Sequence, residues 1–357
     1  MTHHRFVGVV VALGACLPLA AGSAAAGTSV GPRFVSAPAA ALPVHVEGTR
    51  LVNSDGVDVQ IGGVNRSGTE YACAQGWGIF DGPSSAASVA AIATWHVNAV
   101  RVPLNEDCWL DLNGVPAGLG GASYRAAIEA YVAKLEAADM NVVLELHLSA
   151  PGDELALGQQ KMPDADHTPD FWRSVATTFG GDGAVIFDLF NEPHDVTWKC
   201  WLRGCTIDGS WRAVGMQRLV NVVRATGAQN VIMLGGIGWS GDITKWGKHR
   251  PDDPAGQLVA AWHVYDFGGC TTPTCWARNV RGVRGSAPVV LGEIGETDCA
   301  HGFVDPLMDW LDVKGIGYLA WTWDDWPGCD GPTVILDYDG TPSAYGQGIH
   351  DHYVSHF

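Results

Sequence analysis

Short apolar runs recur along the chain, and amphipathic stretches separate them. In Tyr124–Ala138, the residues Ile128, Tyr131, Val132 and Leu135 recur at spacings of three and four, which indicates a helix with one buried face. The apolar runs are typical of strands that are covered on both sides. The predicted strands are Val59–Val64, Asn98–Val102, Asn141–His147, Val185–Phe190, Asn230–Leu234, Leu258–His263, Pro288–Glu293 and Gly317–Trp321, and the predicted helices include Ser85–Trp95, Tyr124–Ala138, Phe171–Phe179, Trp211–Ala225 and Val304–Leu311.

Eight strands that alternate with helices predict an α/β fold, a single-domain (β/α)₈ barrel over residues 43–357. Before the first barrel strand, Thr49–Ile61 contains two short apolar stretches around Ser54-Asp55-Gly56. Asp-Gly between such stretches predicts a β-hairpin. The segment Gly340–Phe357 supplies the last helix.

The first 26 residues have the pattern of a secretory signal peptide. Arg5 is followed by the apolar stretch Phe6–Ala21 and by small residues at 23–26. The alternative is a lipoprotein signal that ends at Cys16, although the apolar run continues past it. Residues 27–42 are rich in Ala, Gly, Ser and Pro and predict a flexible lead-in. No other stretch approaches the length of a membrane helix, so we expect a secreted protein.

Composition narrows the possible partners. The chain of 357 residues is 47% hydrophobic and has a net charge of −17. This charge argues against nucleic acid and anionic membranes as partners. The 15 tryptophans exceed what chance would place, and some of them could bind the flat faces of sugars. A monomer is the default expectation, and nothing in the sequence calls for a cofactor.

Eight cysteines would remain after removal of Cys16, and an even number in an exported chain indicates disulfides rather than a metal site. No CxxC pair is present, so the spacing fits no zinc motif. Eight cysteines allow 105 pairings. All of them follow predicted strands, and proximity favours Cys73–Cys108, Cys200–Cys205, Cys270–Cys275 and Cys299–Cys329.

Polar or aromatic residues stand at the end of almost every predicted strand, where the active sites of such barrels lie. Because the carboxyl ends of parallel strands meet at one rim, these residues converge although they are far apart in sequence. They are Asn65 and Arg66, Arg101, His147, Asn191 and Glu192, His263 and Tyr265, Glu293, and Trp321 and Trp323.

Two of these residues are glutamates, Glu192 and Glu293. A retaining glycosidase needs one carboxylic acid to protonate the leaving oxygen and one carboxylate to attack the sugar, about 5–5.5 Å apart. Arg101 would keep Glu293 ionised, and partial burial would keep Glu192 protonated. The sequence therefore predicts hydrolysis of a glycosidic bond.

These motifs resemble glycoside hydrolase family 5, the cellulase family. Asn191-Glu192-Pro193, Leu291-Gly292-Glu293, Val100-Arg101, His147, His263-x-Tyr265 and Trp321 stand in the family's order, and the resemblance covers about residues 46–355.

The resemblance implies a role for each matching residue. Glu192 would be the acid/base and Glu293 the nucleophile. Asn191 would hold the 2-hydroxyl of the sugar, and Arg101 and Tyr265 would orient the nucleophile. His147 and His263 would line the reacting subsite above Trp321 as its platform, with Trp323 as the alternative platform.

Several residues keep a structural interpretation. Glu145 is expected to be a buried supporting carboxylate, Asp188 a structural residue below Glu192, and Asp324 and Asp325 loop residues. Glu296 is a rival to Glu293 but falls beyond the strand. Six tryptophans follow strands, and some of them should line the cleft: Trp77, Trp109, Trp198, Trp201, Trp239 and Trp326.

We expect a secreted endo-β-1,4-glucanase that acts on a β-linked glucan. The alternatives are an exo-acting β-glucosidase or diglycosidase, a glycosylceramidase and a β-mannanase, because such enzymes share the catalytic residues. The unusual segment from Asn65 to Glu70, before Cys73, keeps the exo-acting alternative open. More remote hypotheses are a non-catalytic carbohydrate-binding barrel and a metal enzyme that uses His147, His263 and a glutamate.

Overall fold

The computed structural model describes residues 41–283, 285–327 and 331–357. The predicted signal peptide, nearly all of the lead-in, and Cys329 lie outside these ranges. Twelve strands run through the described residues: β1 (Val44–Glu47), β2 (Arg50–Asn53), β3 (Gly62–Asn65), β4 (Ala99–Asn105), β5 (Asn141–Leu148), β6 (Val185–Asp188), β7 (Cys205–Ile207), β8 (Trp211–Ala213), β9 (Ile232–Gly235), β10 (Leu258–Tyr265), β11 (Val289–Gly295) and β12 (Gly317–Ala320).

The helices surround these strands. In the same residues they are α1 (Ala72–Gln75), α2 (Ala86–Ala93), α3 (Glu106–Leu110), α4 (Ala122–Glu136), α5 (Thr168–Phe179), α6 (Trp198–Arg203), α7 (Met216–Ala225), α8 (Trp246–His249), α9 (Pro273–Arg281), α10 (Val304–Asp312) and α11 (Ala344–His356). None of the helices in the described ranges has the length and apolar character needed to cross a membrane.

Eight parallel strands close into a barrel in the order β3-β4-β5-β6-β9-β10-β11-β12, and β12 pairs with β3 to complete it. The predicted (β/α)₈ fold is confirmed. The helix between β9 and β10 departs from the regular pattern, because α8 has only four residues.

Alternation along the strands builds both the core and the site. On β5, Val142, Leu144 and Leu146 belong to the cluster that packs with the surrounding helices, whereas Val143 belongs to the cluster inside the barrel. Since side chains alternate between faces, Glu145 and His147 share the inner face with Val143 but lie nearer the carboxyl end. The barrel interior is therefore apolar at one end and charged at the other.

The N-terminal hairpin is present, but its predicted position was wrong. Strands β1 and β2 pair around Gly48 and Thr49, and Ser54-Asp55-Gly56 instead turns the chain back so that Val52 forms a single antiparallel bridge with Asp58. The Asp-Gly signal did mark a turn. Strand β2 pairs with β1, which precedes it in the chain, because the buried Val44 and Leu51 join the apolar cluster at the base of the barrel.

The predicted helix Trp211–Ala225 was wrong in its first part. Trp211–Ala213 forms β8, which pairs with β7, and the helix begins at Met216. The Cys200–Cys205 disulfide joins α6 to β7 and Gly215 precedes the helix, so this segment turns before α7 starts.

Disulfides join Cys73 to Cys108, Cys200 to Cys205 and Cys270 to Cys275, as predicted. The first links α1 to α3, which follow neighbouring strands, and each of the other two lies within one segment between two barrel strands. The Cys299–Cys329 pair stays a prediction because Cys329 lies outside the described residues.

The C-terminal helix α11 covers the seam where β12 meets β3. The Tyr353 hydroxyl donates to the Gly63 carbonyl oxygen at 2.6 Å, and the Tyr345 hydroxyl donates to the Ile294 carbonyl oxygen at 3.2 Å. The Phe357 ring fills the space beside Gly62, where a Cβ would collide with it. The last helix thus packs against the strands that close the barrel.

We predict that Gly63→Ala destabilises the fold. A Cβ at this position would collide with the backbone carbonyl oxygen of Ala99 on the neighbouring strand, and backbone inside a closed barrel has little freedom to yield. Overpacking of this kind costs about 1–3 kcal/mol or more, which thermal unfolding would measure as a lower Tm. The control is Gly181→Ala, where a Cβ meets open space. An unchanged Tm for Gly63→Ala would contradict the close packing of β3 against β4.

Candidate active site

A cavity of about 1060 Å³ opens at the carboxyl ends of the strands. Its lining combines side chains from several strand ends with loop residues that follow β9 and β10. Those used below are His147, Gln159, Glu192, Trp239, His263, Tyr265, Phe267, Glu293 and Trp321. Six of the eight predicted catalytic and substrate-binding residues line it, and Arg101 and Asn191 contact these residues from below.

The buried Arg101 guanidinium joins four strand ends. Its Nε donates to Asp188 Oδ2 at 3.1 Å, Nη1 to Asn65 Oδ1 at 2.9 Å and to Glu293 Oε1 at 3.0 Å, and Nη2 to Asn191 Oδ1 at 2.9 Å. Burial alone would lower the pKa of Arg101, but Glu145, Asp188 and Glu293 outweigh it and raise the pKa. The group is therefore a fixed positive charge.

Both carboxylate oxygens of Glu293 have a donor. Arg101 occupies Oε1, and the Tyr265 hydroxyl donates to Oε2 at 2.5 Å. The side chain is only 5% exposed. Two donors on separate oxygens fix the plane of the Glu293 carboxylate. The direction in which its oxygens face the cavity is therefore fixed before a substrate binds.

Glu192 has different surroundings. Its Oε1 lies 2.9 Å from Nδ1 of His263, and burial raises the pKa of its carboxyl. Burial also lowers the pKa of His263 to about 4, so the imidazole is neutral near pH 7. A neutral ring can donate from Nδ1 to Glu192 without adding a positive charge that would ionise it.

The two glutamates are close together. One oxygen of Glu192, one oxygen of Glu293 and a nitrogen of His263 lie within 4.8 Å of one another. This spacing approaches the roughly 5–5.5 Å of retaining glycosidases and is shorter than the roughly 6.5–9.5 Å of inverting enzymes, which need room for a water. The pair can supply a proton and a nucleophile to the same bond.

His147 and Trp321 form one wall of the cavity. The two rings stack at 5.4 Å with an interplanar angle of 21°. Burial alone would lower the pKa of His147, but Glu145, whose Oε2 lies 3.0 Å from Nδ1, raises it to about 9. The imidazole is then positively charged, and Glu145 has the supporting position that was expected of it.

The same residues offer a possible cation site, which the metal-enzyme hypothesis requires. Glu192, His263 and Glu293 have one ligand atom each within reach of a common ion. The predicted set differs, because His147 turns Nδ1 towards Glu145 instead. Both carboxylates of this group already accept hydrogen bonds from residues of the site. Burial causes the low pKa of His263. Neither observation requires a metal ion.

The remaining predicted positions divide between core and cavity. Trp323 is fully buried against Trp95 and does not reach the cavity, so Trp321 alone fits the platform position. Glu296 accepts from the backbone N–H groups at the start of α10. Asp324 is in a loop but is fully buried, where it accepts from Ser67 and Tyr338. Of the six tryptophans that follow strands, Trp109, Trp198 and Trp201 are buried, and Trp239 lines the cavity.

Three residues of the site were not singled out for it from the sequence. Gln159 hydrogen-bonds the Glu192 carboxylate and, at 3.2 Å, accepts from Asn191 Nδ2. Ser240 donates to the Asn191 carbonyl oxygen at 2.7 Å. Phe267 is 70% exposed and stacks on Tyr265. A glutamine or serine in a loop carries no periodic signal, and only the exposed aromatics after strands could have been suspected.

The comparisons with known proteins agree with the geometry. Residues 52–326 match the family model described as cellulase, glycosyl hydrolase family 5. A mannan endo-1,4-beta-mannosidase of Streptomyces lividans is 26% identical over 82% of this chain and 69% of its own. The endoglucanase MaCel5A of a Microbulbifer species is 25% identical over 86% of this chain but 55% of its own. The manganese dependent endoglucanase Eg5A of Phanerodontia chrysosporium is 27% identical over 74% and 64%.

Solved structures share the fold. The beta-glucanase SdGluc5_26A of Saccharophagus degradans, in complex with cellotetraose, superposes with a TM-score of 0.67 at 19% identity and covers 88% of this chain and 94% of its own. XacCel5A in complex with cellopentaose gives 0.65 at 22% identity over 82% and 99%.

We predict that Gln159→Leu moves the basic limb of the pH profile upwards. The Gln159 side chain lowers the pKa of Glu192 by bonding its charged form, so its removal raises that pKa. An acid must be protonated to act, and the basic limb of kcat/KM follows the pKa of the acid in the free protein. The expected shift for an aryl β-glycoside is about a few tenths of a pH unit. Gln160→Leu, next to it but outside the cavity lining, is the control. A downward shift would contradict this assignment.

Proposed function

The chain belongs to glycosyl hydrolase family 5, the cellulase family, and we propose that it is a retaining endo-β-1,4-glucanase. The observation that supports this most directly is the pair of glutamates. Glu293 is oriented through both of its oxygens, and Glu192 has a raised pKa, with their nearest oxygens within 4.8 Å.

In the proposed reaction, the Glu293 carboxylate attacks the anomeric carbon while the glycosidic C–O bond breaks. The leaving oxygen takes the proton of Glu192, and a covalent glycosyl ester forms on Glu293. A water then gives a proton to Glu192 and its oxygen attacks the same carbon, which releases Glu293. Arg101 and Tyr265 hold the nucleophile in place, and burial, which raises the pKa of Glu192, favours the protonated acid that the first step needs.

The shape of the cavity supports a substrate longer than one sugar. Its volume is at the upper end of the roughly 300–1,000 Å³ that ligand sites occupy. The lining extends from Glu192 along the loops after β9 and β10. In this proposal the leaving group lies on that side, because Glu192 protonates it. There Trp239 and Phe267, 49% and 70% exposed, present aromatic faces. Flat apolar rings suit the faces of further sugar units.

Mannan is the second candidate substrate. The relative from Streptomyces lividans is named as an endo-mannosidase and covers most of this chain. Glucose and mannose differ in the orientation of the 2-hydroxyl, which would lie near Asn191 in this proposal. The Asn191 side chain is held by Arg101 and Gln159, and a single amide can serve either configuration.

The loop after β3 keeps an exo-acting alternative open. Arg66, Ser67, Thr69 and Glu70 are buried in it, and none of them lines the cavity among the described residues. The Arg66 guanidinium donates to the Asp81 carbonyl oxygen, and Tyr71 donates to the Asp81 carboxylate at 2.7 Å. A cavity that opens mainly on the leaving-group side would release short products.

We also propose that the protein is exported. The first 26 residues have the pattern of a signal peptide. Three disulfides are present in the described residues, and structural disulfides persist in oxidising compartments.

Substitution of the two glutamates should separate their roles. Glu293→Gln is expected to abolish hydrolysis and covalent labelling by a 2-fluoro glycoside, because the nucleophile is lost. Glu192→Gln should reduce hydrolysis of cellotetraose by about 10²–10⁴-fold, but much less for a dinitrophenyl cellobioside, whose leaving group needs no proton. Glu129→Gln, exposed on α4, is the control. Labelling of Glu293→Gln at another residue would refute the assignment.

A substrate panel should distinguish the modes of action. We expect carboxymethylcellulose to lose viscosity faster than it gains reducing ends, because cleavage within a chain shortens it early. Mannan, laminarin, a rutinoside and glucosylceramide would be compared at equal enzyme concentration, with product lengths measured. Release of only mono- or disaccharides from cello-oligosaccharides would favour the exo-acting alternative, and preference for mannan would favour the second substrate.

A further inference from the structure

The C-terminal helix carries two histidines one turn apart, far from the cavity. His352 and His356 lie on the same face of α11, and their rings stack at 5.5 Å with an interplanar angle of 19°. Both face Asp312 at the end of α10. The Nε2 atoms of His352 and His356 lie 2.6 and 3.5 Å from Asp312 Oδ2.

Asp312 is held so that one oxygen is reserved for the histidines. Gln60 Nε2 donates to Oδ1 at 2.7 Å, and the Tyr318 hydroxyl donates to the same oxygen at 3.0 Å. The carboxylate is only 6% exposed. Metal-binding carboxylates are commonly fixed in this way by surrounding hydrogen bonds.

The three possible ligand atoms are separated by nearly the distances found between the ligands of one metal ion. One atom each of Asp312, His352 and His356 lies within 4.8 Å of the other two. Bond lengths of about 2.0–2.2 Å around a tetrahedral zinc imply about 3.3–3.5 Å between ligands. The distance from His356 to Asp312 already has this value. His352 must move back by less than about 1 Å on this estimate.

A hydrogen-bonded ion pair explains only part of the arrangement. It accounts for His352 and Asp312, which are 2.6 Å apart. It does not require a second imidazole in register on the next turn with its Nε2 aimed at the same oxygen. Asp309 Oδ1 also lies 3.9 Å from Nδ1 of His352, so a second carboxylate stands on the side of the other ring nitrogen, where metal-binding histidines commonly have one.

We propose that Asp312, His352 and His356 bind a divalent transition-metal ion, with zinc as the best match. Two imidazoles and one carboxylate form a ligand set that zinc accepts, and a water can complete a tetrahedron on the exposed side. His356 is 43% exposed, so an ion can enter from solvent.

The position of the site determines its effect. It connects α11 to α10 and, through Gln60 and Tyr318, to the segment before β3 and to β12. The barrel closes where β12 pairs with β3, the strand that follows Gln60. An ion bound only by the folded state would raise its stability by mass action without changing the catalytic cavity.

The test uses the whole mature protein, stripped with a chelator and dialysed. Zinc chloride is titrated in competition with a chromophoric chelator, and Tm is measured with and without zinc. We expect one zinc ion per chain to depend on this site, and Tm to rise by at least about 2 °C at saturation. In His356→Gln that ion and the rise in Tm should both be lost, while the zinc-free Tm stays within about 1 °C because the side chain is partly exposed.

The matched control is His45→Gln, which removes a histidine of similar exposure, 44%, beside a glutamate on the hairpin. It should keep both the bound zinc and the rise in Tm. Equal zinc binding by His356→Gln and the parent protein would overturn the proposal, as would a parent Tm that zinc does not raise. Neither result depends on which glycoside the protein hydrolyses.

Discussion

The active-site end of the barrel depends on one buried cation. Arg101 is inaccessible to solvent, and a buried charge is tolerated only when it is paired and hydrogen-bonded. Its five partners come from the ends of four strands, β3, β5, β6 and β11: Asn65, Glu145, Asp188, Asn191 and Glu293. Because the guanidinium is planar and rigid, it fixes the relative positions of these side chains as well as their charge. The position of Glu293, the candidate nucleophile, is therefore set by the hydrogen bonds and ion pairs that Arg101 requires.

The two histidines of the site have pKa values that are shifted in opposite directions. His147 lies next to Glu145, and its pKa is raised to about 9. His263 lies next to Glu192, and its pKa is lowered to about 4, with burial as the main cause. Burial likewise raises the pKa of Asp188 to about 7 despite its bond to Arg101. The site can therefore hold a cationic imidazole near one wall and a neutral imidazole beside Glu192.

Strand periodicity explains why much of the site could be predicted. Once β5 is recognised, alternation places Val143, Glu145 and His147 on one face, and the same rule aligns Ala99 with Arg101 and Ala261 with His263. Loops obey no such rule. Gln159 and Trp239 reach the site through turns whose course depends on tertiary contacts. In the hairpin before β3, strand β2 pairs with β1, and the Asp-Gly motif did not predict this pairing.

The loop after β9 shows how a neighbouring turn supports the motif Asn191-Glu192-Pro193-His194. Trp239 and Ser240 both have left-handed backbones, with φ of 61° and 52°, which costs non-glycine residues about 1–3 kcal/mol each. The turn makes contacts that offset this cost. Ser240 donates to the Asn191 carbonyl oxygen, the Trp239 N–H donates to that of Pro193, and the Trp239 ring stacks on His194 at 3.5 Å.

The Ser240 carbonyl oxygen also accepts from the His263 N–H, so the same turn contacts both the motif around Glu192 and the histidine beside it. The strained residues therefore lie in a turn that contacts the residues on both sides of Glu192 and that leaves Trp239 exposed at the cavity.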